Sequence, residues 1–106
     1  MPHTADVALE AWGRDLPELL AHAAQGMFSL AVTADPQAPV SAVREIRLSA
    51  PDAETLLVDW LNELLLLSEE NDEAFISFDV DLPQAGQLVA RVGATRAFQR
   101  QKLIKA

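Results

Sequence analysis

The chain alternates between segments whose apolar residues recur at every second position and segments in which they recur every third or fourth position. A period of two predicts half-buried strands, and the longer spacing predicts amphipathic helices, because these are the side-chain periods of the two structures. Period two occurs in four segments, at residues 7–11, 45–49, 76–82 and 88–92. Helical spacing occurs in residues 15–31 and again after Pro51-Asp52. The predicted order is β-α-β-α-β-β.

The two predicted helices have recognisable starts and apolar stripes. Asp15 is placed to cap the first helix, with Glu18 three residues later as in a capping box, and Pro17 is tolerated in a first turn. The stripe of the second helix includes Trp60, and residues 68–73 then form a polar loop. Both stripes must be buried. The sequence therefore predicts an α+β fold, a two-layer sandwich with two helices on one face of a mostly antiparallel sheet.

The composition fits one small domain of 106 residues. No cysteine is present, which excludes disulfides, thiolate metal sites and cysteine nucleophiles and suits a reducing cytosol. The longest apolar stretch, near residues 56–67, is interrupted by charged and polar residues and is too short to span a bilayer. The first residues lack the pattern of a signal peptide. We therefore expect a cytoplasmic protein without a membrane segment.

The charge is unevenly distributed along the chain. The formal net charge is −8, with −13 in residues 1–81 and +5 in residues 82–106. The strongly negative charge of residues 1–81 argues against direct nucleic-acid binding, because such binding requires lysine and arginine to neutralise the phosphates. It suits divalent cations or a basic protein partner, and the alternative is a role in solubility alone. The basic end offers a contact for a phosphate or an acidic partner, unless it is only a fraying terminus or incomplete strand.

Motifs of catalysis are absent from the sequence. It contains no G-x-S-x-G, no P-loop, no G-x-G-x-x-G, no H-E-x-x-H and no EF-hand loop. His22 lies in the middle of the first predicted helix, where a surface role is the simpler interpretation. Trp60 is expected in the core, and Trp12 in packing or at a partner surface. Nothing in these patterns indicates an enzyme.

Three aspartates are the candidate functional carboxylates. Asp6 stands at the start of the first predicted strand, where ligand groups can converge, but one carboxylate does not make a calcium site of about six to eight oxygens. The alternative is a solvated acid or a local cap. Asp79 and Asp81 share one face of the third strand with Ser77, and a cation would relieve their repulsion. The alternative there is an ordinary solvent-facing surface.

Several motifs in one order resemble the archease family. The chain begins with His-Thr-Ala-Asp-Val, continues through Trp-Gly, Leu-Pro-Glu-Leu and Gly-Met-Phe-Ser-Leu, and carries Leu-Leu-Val-Asp-Trp-Leu-Asn-Glu-Leu-Leu in the second helix. Its closing Lys-Leu-Ile-Lys-Ala is similar to the family's lysine segment. The resemblance covers the whole chain.

The resemblance implies a function. Archeases are small acidic protein cofactors, not enzymes. They assist the GTP-dependent RNA ligase of tRNA splicing and RNA repair, which joins a 2′,3′-cyclic phosphate or 3′-phosphate end to a 5′-hydroxyl, and they promote ligase guanylylation and turnover. By the same resemblance, Asp6 is a ligand of a metal site, with calcium as the expected ion, and His3 and Lys105 take part in function or partner contact.

Two departures from the family pattern modify these expectations. Pro2 stands where many members have an acid, and the family sequence continues beyond the position of Ala106 to a C-terminal aspartate. We therefore expect residues 1–106 to be one archease-like domain that is C-terminally truncated, with an incomplete metal site. Reduced stability or self-association is expected for such a domain.

Two other functions remain open from the residues alone. One is a metal-dependent hydrolase that uses Asp6, Asp79 and Asp81, which would turn over substrate without a partner. The other is a chaperone-like acidic binding module with a different client.

Overall fold

The computed structural model describes residues 3–34 and 37–100, with side chains described for residues 16–34 and 37–99. The elements are α1 (His3–Ala31), β1 (Val32–Ala34), β2 (Ala42–Ser49), α2 (Ala53–Asn71), β3 (Ala74–Gln84), β4 (Gln87–Thr95) and β5 (Phe98–Arg100). Strands β2, β4 and β3 form an antiparallel sheet in that spatial order, and β1 pairs with β5. The predicted α+β class is confirmed.

The core lies between the helices and one face of the three-stranded sheet. The predicted stripe of α2 is buried at Leu56, Trp60 and Leu64. The Nε1–H of Trp60 donates a hydrogen bond to the carbonyl oxygen of Leu20 in α1, at 2.9 Å. The two helices therefore pack side by side on the same face. The buried apolar residues are Leu20, Ala24, Phe28, Val32, Ile46, Leu56, Trp60, Leu64, Ala74, Phe75, Leu88, Ala90, Val92 and Ala94.

The hairpin between β3 and β4 depends on a glycine. Gly86 has a φ of 78°, in the left-handed region that favours glycine. Its carbonyl oxygen accepts a hydrogen bond from the Ala50 N–H at 2.8 Å. The turn thereby joins the hairpin to the segment that leads into α2.

The beginning of the chain differs from the sequence prediction. Residues 7–11 were expected as a strand, but their backbone belongs to α1, which begins at His3 and not at Asp15. Pro17 consequently lies inside the helix, although it cannot donate a backbone hydrogen bond. The five-residue alternation is short, and the segment is rich in alanine, the best helix former. From α1 onward, the main elements follow the predicted order of helix, strand, helix, strand and strand.

Smaller differences occur at the ends of other elements. The predicted polar loop at residues 68–73 is mostly helical, because α2 continues to Asn71. Asp72 ends that helix with a φ of 54°, and its N–H bonds to the carbonyl of Ser68. The short strand β1 was not predicted, since three residues are too few to show a period. The strand β5 lies in the basic end, where a fraying terminus or incomplete strand was one of the interpretations. Within the described part of the chain, no helix is long and apolar enough to cross a membrane.

Gly93 in β4 permits close packing at the edge of the core. Its N–H donates a hydrogen bond to Ser77 Oγ at 3.1 Å, and an added Cβ would overlap that oxygen and come within 3.3 Å of Val40. We expect Gly93→Ala to lower the free energy of unfolding by about 1 kcal/mol, the lower end for overpacking because Ser77 can rotate. Urea denaturation measures this change.

The matched control is Gly26→Ala in α1. An added Cβ there has no atom within 4 Å, so alanine should stabilise the helix by about 0.5–1 kcal/mol. Equal effects of the two substitutions would contradict the packing argument for Gly93.

Candidate functional site

The residues assigned by family resemblance, His3, Asp6 and Lys105, lie near the two ends of the chain. The backbone of His3 and Asp6 belongs to the first turns of α1, and not to a strand as expected for Asp6. The side chains of both residues, and the whole of Lys105, lie outside the described residues. Their roles therefore remain predictions.

Asp79 and Asp81 lie on the solvent-facing side of β3, as the alternation predicted. Both are exposed, and Ser77 shares their face. The register places Asp79 opposite Arg91 of β4, which in turn is opposite Glu45 of β2. Charges of opposite sign thus alternate across the sheet, and cross-strand pairs of this kind are favourable. Asp79 therefore has a cationic neighbour across the sheet, whereas Asp81 lies opposite Val89.

The described side chains do not provide a calcium site. They contain no group of three or more histidine, cysteine, aspartate or glutamate residues that could hold a metal ion. Calcium takes about six to eight oxygen ligands. A calcium site that includes Asp6 therefore stays a prediction.

His22 lies on the surface, as predicted. Its side chain is 61% exposed, and its Nε2 atom lies 3.9 Å from Glu18 Oε2, one helical turn away. An exposed pair of this kind contributes little to stability. Trp60 is confirmed in the core, whereas the side chain of Trp12 lies outside the described residues.

A pocket of about 530 Å³ lies between the start of α2 and the β3–β4 hairpin. Asp52 is the charged residue among those that line it. Its carboxylate caps α2 by accepting the Thr55 N–H at 2.7 Å, and this hydrogen bond holds the pKa of Asp52 below its ordinary value. The carboxylate is thus engaged in helix capping. The lining residues are Leu16, Pro51, Asp52, Ala53, Leu56, Leu82, Pro83, Gln84, Ala85 and Gly86.

A partly buried ion pair joins β2 to the turn that follows α2, and the sequence analysis missed it. Arg44 donates from Nε to Glu73 Oε1 at 2.7 Å and from Nη2 to Oε2 at 2.9 Å. The side chain of Glu73 is only 1% exposed, whereas that of Arg44 is 32% exposed. The bidentate geometry fits the planar guanidinium to the carboxylate. The sequence contained one indication of this ion pair. Arg44 is separated from Ile46 and Leu48 by even numbers of residues, so its side chain lies on the inward face of β2.

The backbone around Glu73 is equally well fixed. Its N–H donates to the carbonyl of Ser68 at 3.0 Å, and its own carbonyl accepts a hydrogen bond from Ser68 Oγ. The hydrogen bonds from Arg44 hold the pKa of the Glu73 carboxyl below its ordinary value of 4.5, against the opposing effect of burial. The ion pair is therefore a structural element with a defined dependence on pH.

Acid should weaken this ion pair. A depressed folded-state pKa gives stability that is fully present above the unfolded pKa, near 4.5, and is lost as the pH falls through the lower folded value. Above pH 5 we expect Glu73→Gln to be less stable than the unsubstituted chain. The difference should shrink below pH 4.5 by up to about 1.4 kcal/mol per pH unit. Urea denaturation from pH 7 to pH 3 measures it.

Glu45→Gln is the control for this prediction. Glu45 also bonds an arginine, Arg47, at 2.6 Å, but its side chain is 50% exposed. Loss of such a pair should change the free energy of unfolding by less than about 1 kcal/mol. The free energy of unfolding of Glu73→Gln is compared with that of the unsubstituted chain. If the difference between them stays constant down to pH 3, the role assigned to the Glu73 carboxylate is contradicted.

The whole chain, residues 1–106, matches the family model of the archease protein family. A relative named Protein archease from Methanosarcina barkeri is 42% identical over 81 residues, which are 76% of this chain and 55% of the relative. Protein archease of Saccharolobus solfataricus is 38% identical over 82 residues, or 77% of this chain and 58% of the relative. These matches span little more than half of the relatives' length.

A solved structure shares the fold. The solution structure of protein 1598 of Methanobacterium thermoautotrophicum has a TM-score of 0.61 and 25% sequence identity to this chain. The match covers 88% of this chain and 70% of that chain.

Proposed function

The chain belongs to the archease family, and we propose that it acts as a protein cofactor of a GTP-dependent RNA ligase. In this role it would promote guanylylation and turnover of a ligase that joins 3′-phosphate or 2′,3′-cyclic phosphate ends to 5′-hydroxyl ends in tRNA splicing and RNA repair. The observation that carries the proposal is the family match over all 106 residues. The absence of cysteine suits action in the reducing cytoplasm.

The charge of the chain supports a protein partner. An enzyme that binds RNA presents basic surface to the phosphates. This chain carries a net charge of −8, and α2 contributes five acids and no lysine or arginine. Opposite charges on two proteins speed their encounter and help to select the partner. An acidic cofactor is thus suited to a basic ligase.

The test is ligase guanylylation at limiting ligase, with GTP and a divalent cation, with and without the 106-residue chain. A ligase that responds to an established archease is used, and that archease is the positive control. We expect the chain to raise both the guanylylated fraction and the number of turnovers. Response to the control archease but not to this chain would overturn the proposal. RNA turnover by the chain without ligase would favour an enzyme instead.

Asp6 is the carboxylate that we propose to be required for stimulation. Asp6→Asn removes the charge at nearly constant size, so we expect stimulation of guanylylation to fall at least about tenfold, as for loss of a strong interaction. The matched control is Asp79→Asn, which removes an exposed carboxylate from β3. Equal stimulation by the Asp6→Asn variant and the unsubstituted chain would contradict the role of Asp6.

Calcium and the other motif residues are tested separately. If the incomplete site still binds calcium alone in a calorimetric titration, Asp6→Asn should remove that binding. Binding that survives this substitution would place the ion elsewhere. We further propose that His3 and Lys105 contact the ligase. Alanine at either position should then weaken ligase binding, and unchanged affinity would remove that residue from the interface.

A further inference from the structure

The solvent-facing side of α2 carries an apolar surface. Val58, Leu65 and Leu66 are 55%, 38% and 50% exposed, although the opposite side of the same helix is buried in the core. Asn62, Leu65 and Leu66 follow Val58 by four, seven and eight residues. This spacing places all four residues on one helical face. We call this set, Val58, Asn62, Leu65 and Leu66, the α2 outer face.

Such a grouping is unusual on a surface helix. Single exposed apolar residues are common and require no explanation. Larger contiguous apolar patches that are rimmed by polar residues mark sites of interaction with other proteins. On the α2 outer face, Leu65 and Leu66 are neighbours, and Val58 lies about two turns away beyond the polar Asn62. The other polar side chains of the helix around them include five acids.

The charges around the α2 outer face indicate its occupant. All the ionisable residues of Ala53–Asn71 are acidic, namely Glu54, Asp59, Glu63, Glu69 and Glu70. A second copy of the chain would bring an equally acidic helix against this one, and like charges across an interface oppose association. A partner that presents basic side chains around an apolar centre is complementary in both respects.

We propose that the α2 outer face docks a basic protein surface, and that this surface belongs to the RNA ligase. The inference rests on the proposed function and adds to it the part of the chain that binds the ligase. Val58 and Leu66 would supply apolar contact. The surrounding acids would pair with lysine and arginine, so the affinity should fall as salt screens these charges.

The test removes the apolar contacts without changing the charge. In a double variant, Val58→Gln with Leu66→Gln, both side chains are exposed and glutamine is a good helix former, so the fold should persist. Calorimetric titration against the ligase should show a dissociation constant at least about tenfold higher than for the unsubstituted chain. Stimulation of guanylylation at subsaturating concentration should fall in parallel.

The matched control is Leu30→Gln in α1. Leu30 is 69% exposed but lies on another helix, so its substitution should leave ligase affinity unchanged. Thermal unfolding by circular dichroism verifies that each variant is folded. Raising the salt from 50 to 200 mM should weaken binding of the unsubstituted chain.

The outcomes separate this inference from the proposed function. If the unsubstituted chain stimulates the ligase and the double variant binds and stimulates equally well, the inference is overturned and the proposed function stands. If the unsubstituted chain neither binds nor stimulates, the proposed function fails and the assigned partner fails with it. A dimer seen in sedimentation equilibrium and abolished by the double variant would make a second copy the occupant, which also overturns the inference.

Discussion

Truncation of Trp60 to alanine is expected to lower the free energy of unfolding by about 4 kcal/mol, within the range for large aromatic side chains. The indole is completely buried between the two layers. Its ring lies edge-on to that of Phe78, with centroids 6.4 Å apart, and its N–H bonds to the Leu20 carbonyl of α1. Trp60 thus connects both helices to the sheet, and its removal leaves a cavity where all three meet.

Chemical denaturation followed by far-ultraviolet circular dichroism measures this loss, because the signal does not depend on the tryptophan itself. Trp60→Phe should cost less, since it keeps a ring and loses chiefly the hydrogen bond to Leu20. Val58→Ala, on the exposed side of the same helix, is the control and should change stability by less than about 0.5 kcal/mol. A loss below about 1 kcal/mol for Trp60→Ala would contradict a packed helix–sheet interface.

The core elements could be predicted because their signals are local. The burial of Leu56, Trp60 and Leu64 follows from helical spacing within one segment. The alternation in β3 likewise assigns Asp79 and Asp81 to the exposed face. In each case the period of side chains within one element determines the face, and no knowledge of distant residues is needed.

Features that depend on distant partners could not be predicted in this way. Glu73 was assigned to a polar loop, because its burial depends on Arg44, which is 29 residues away in the sequence. The position of Asp79 opposite Arg91 depends on the register of β3 and β4. Residues 7–11 show a different limit, since a short alternation in an alanine-rich segment is compatible with both strand and helix.

The motif residues belong to a third category. Family resemblance alone selected His3, Asp6 and Lys105. The periodicity of apolar residues and the spacing of polar ones do not indicate a chemical role for them. Their side chains lie outside the described residues, so their functional roles remain predictions. Measurements on the substituted chains will decide these roles.

Replacement of Arg44 by methionine is expected to lower the free energy of unfolding by about 3 kcal/mol, the lower end for a broken buried ion pair. Methionine retains the apolar stem but removes both hydrogen bonds to the Glu73 carboxylate. That carboxylate is only 1% exposed, so water cannot readily replace the lost donors. Urea denaturation at pH 7 measures the loss. Arg47→Met, which breaks the exposed pair with Glu45, is the control and should cost less than about 1 kcal/mol.

A double-mutant cycle separates the value of the pair from the cost of an unpaired charge. Glu73→Leu combined with Arg44→Met removes both partners, and apolar replacement of a whole buried pair is often neutral. We therefore expect the double variant to be more stable than Arg44→Met alone, with a coupling energy of about 2 kcal/mol. Losses that simply add would show that Arg44 and Glu73 act independently. The recovery is expected because most of the damage from Arg44→Met comes from a carboxylate that remains buried without its hydrogen-bond donors.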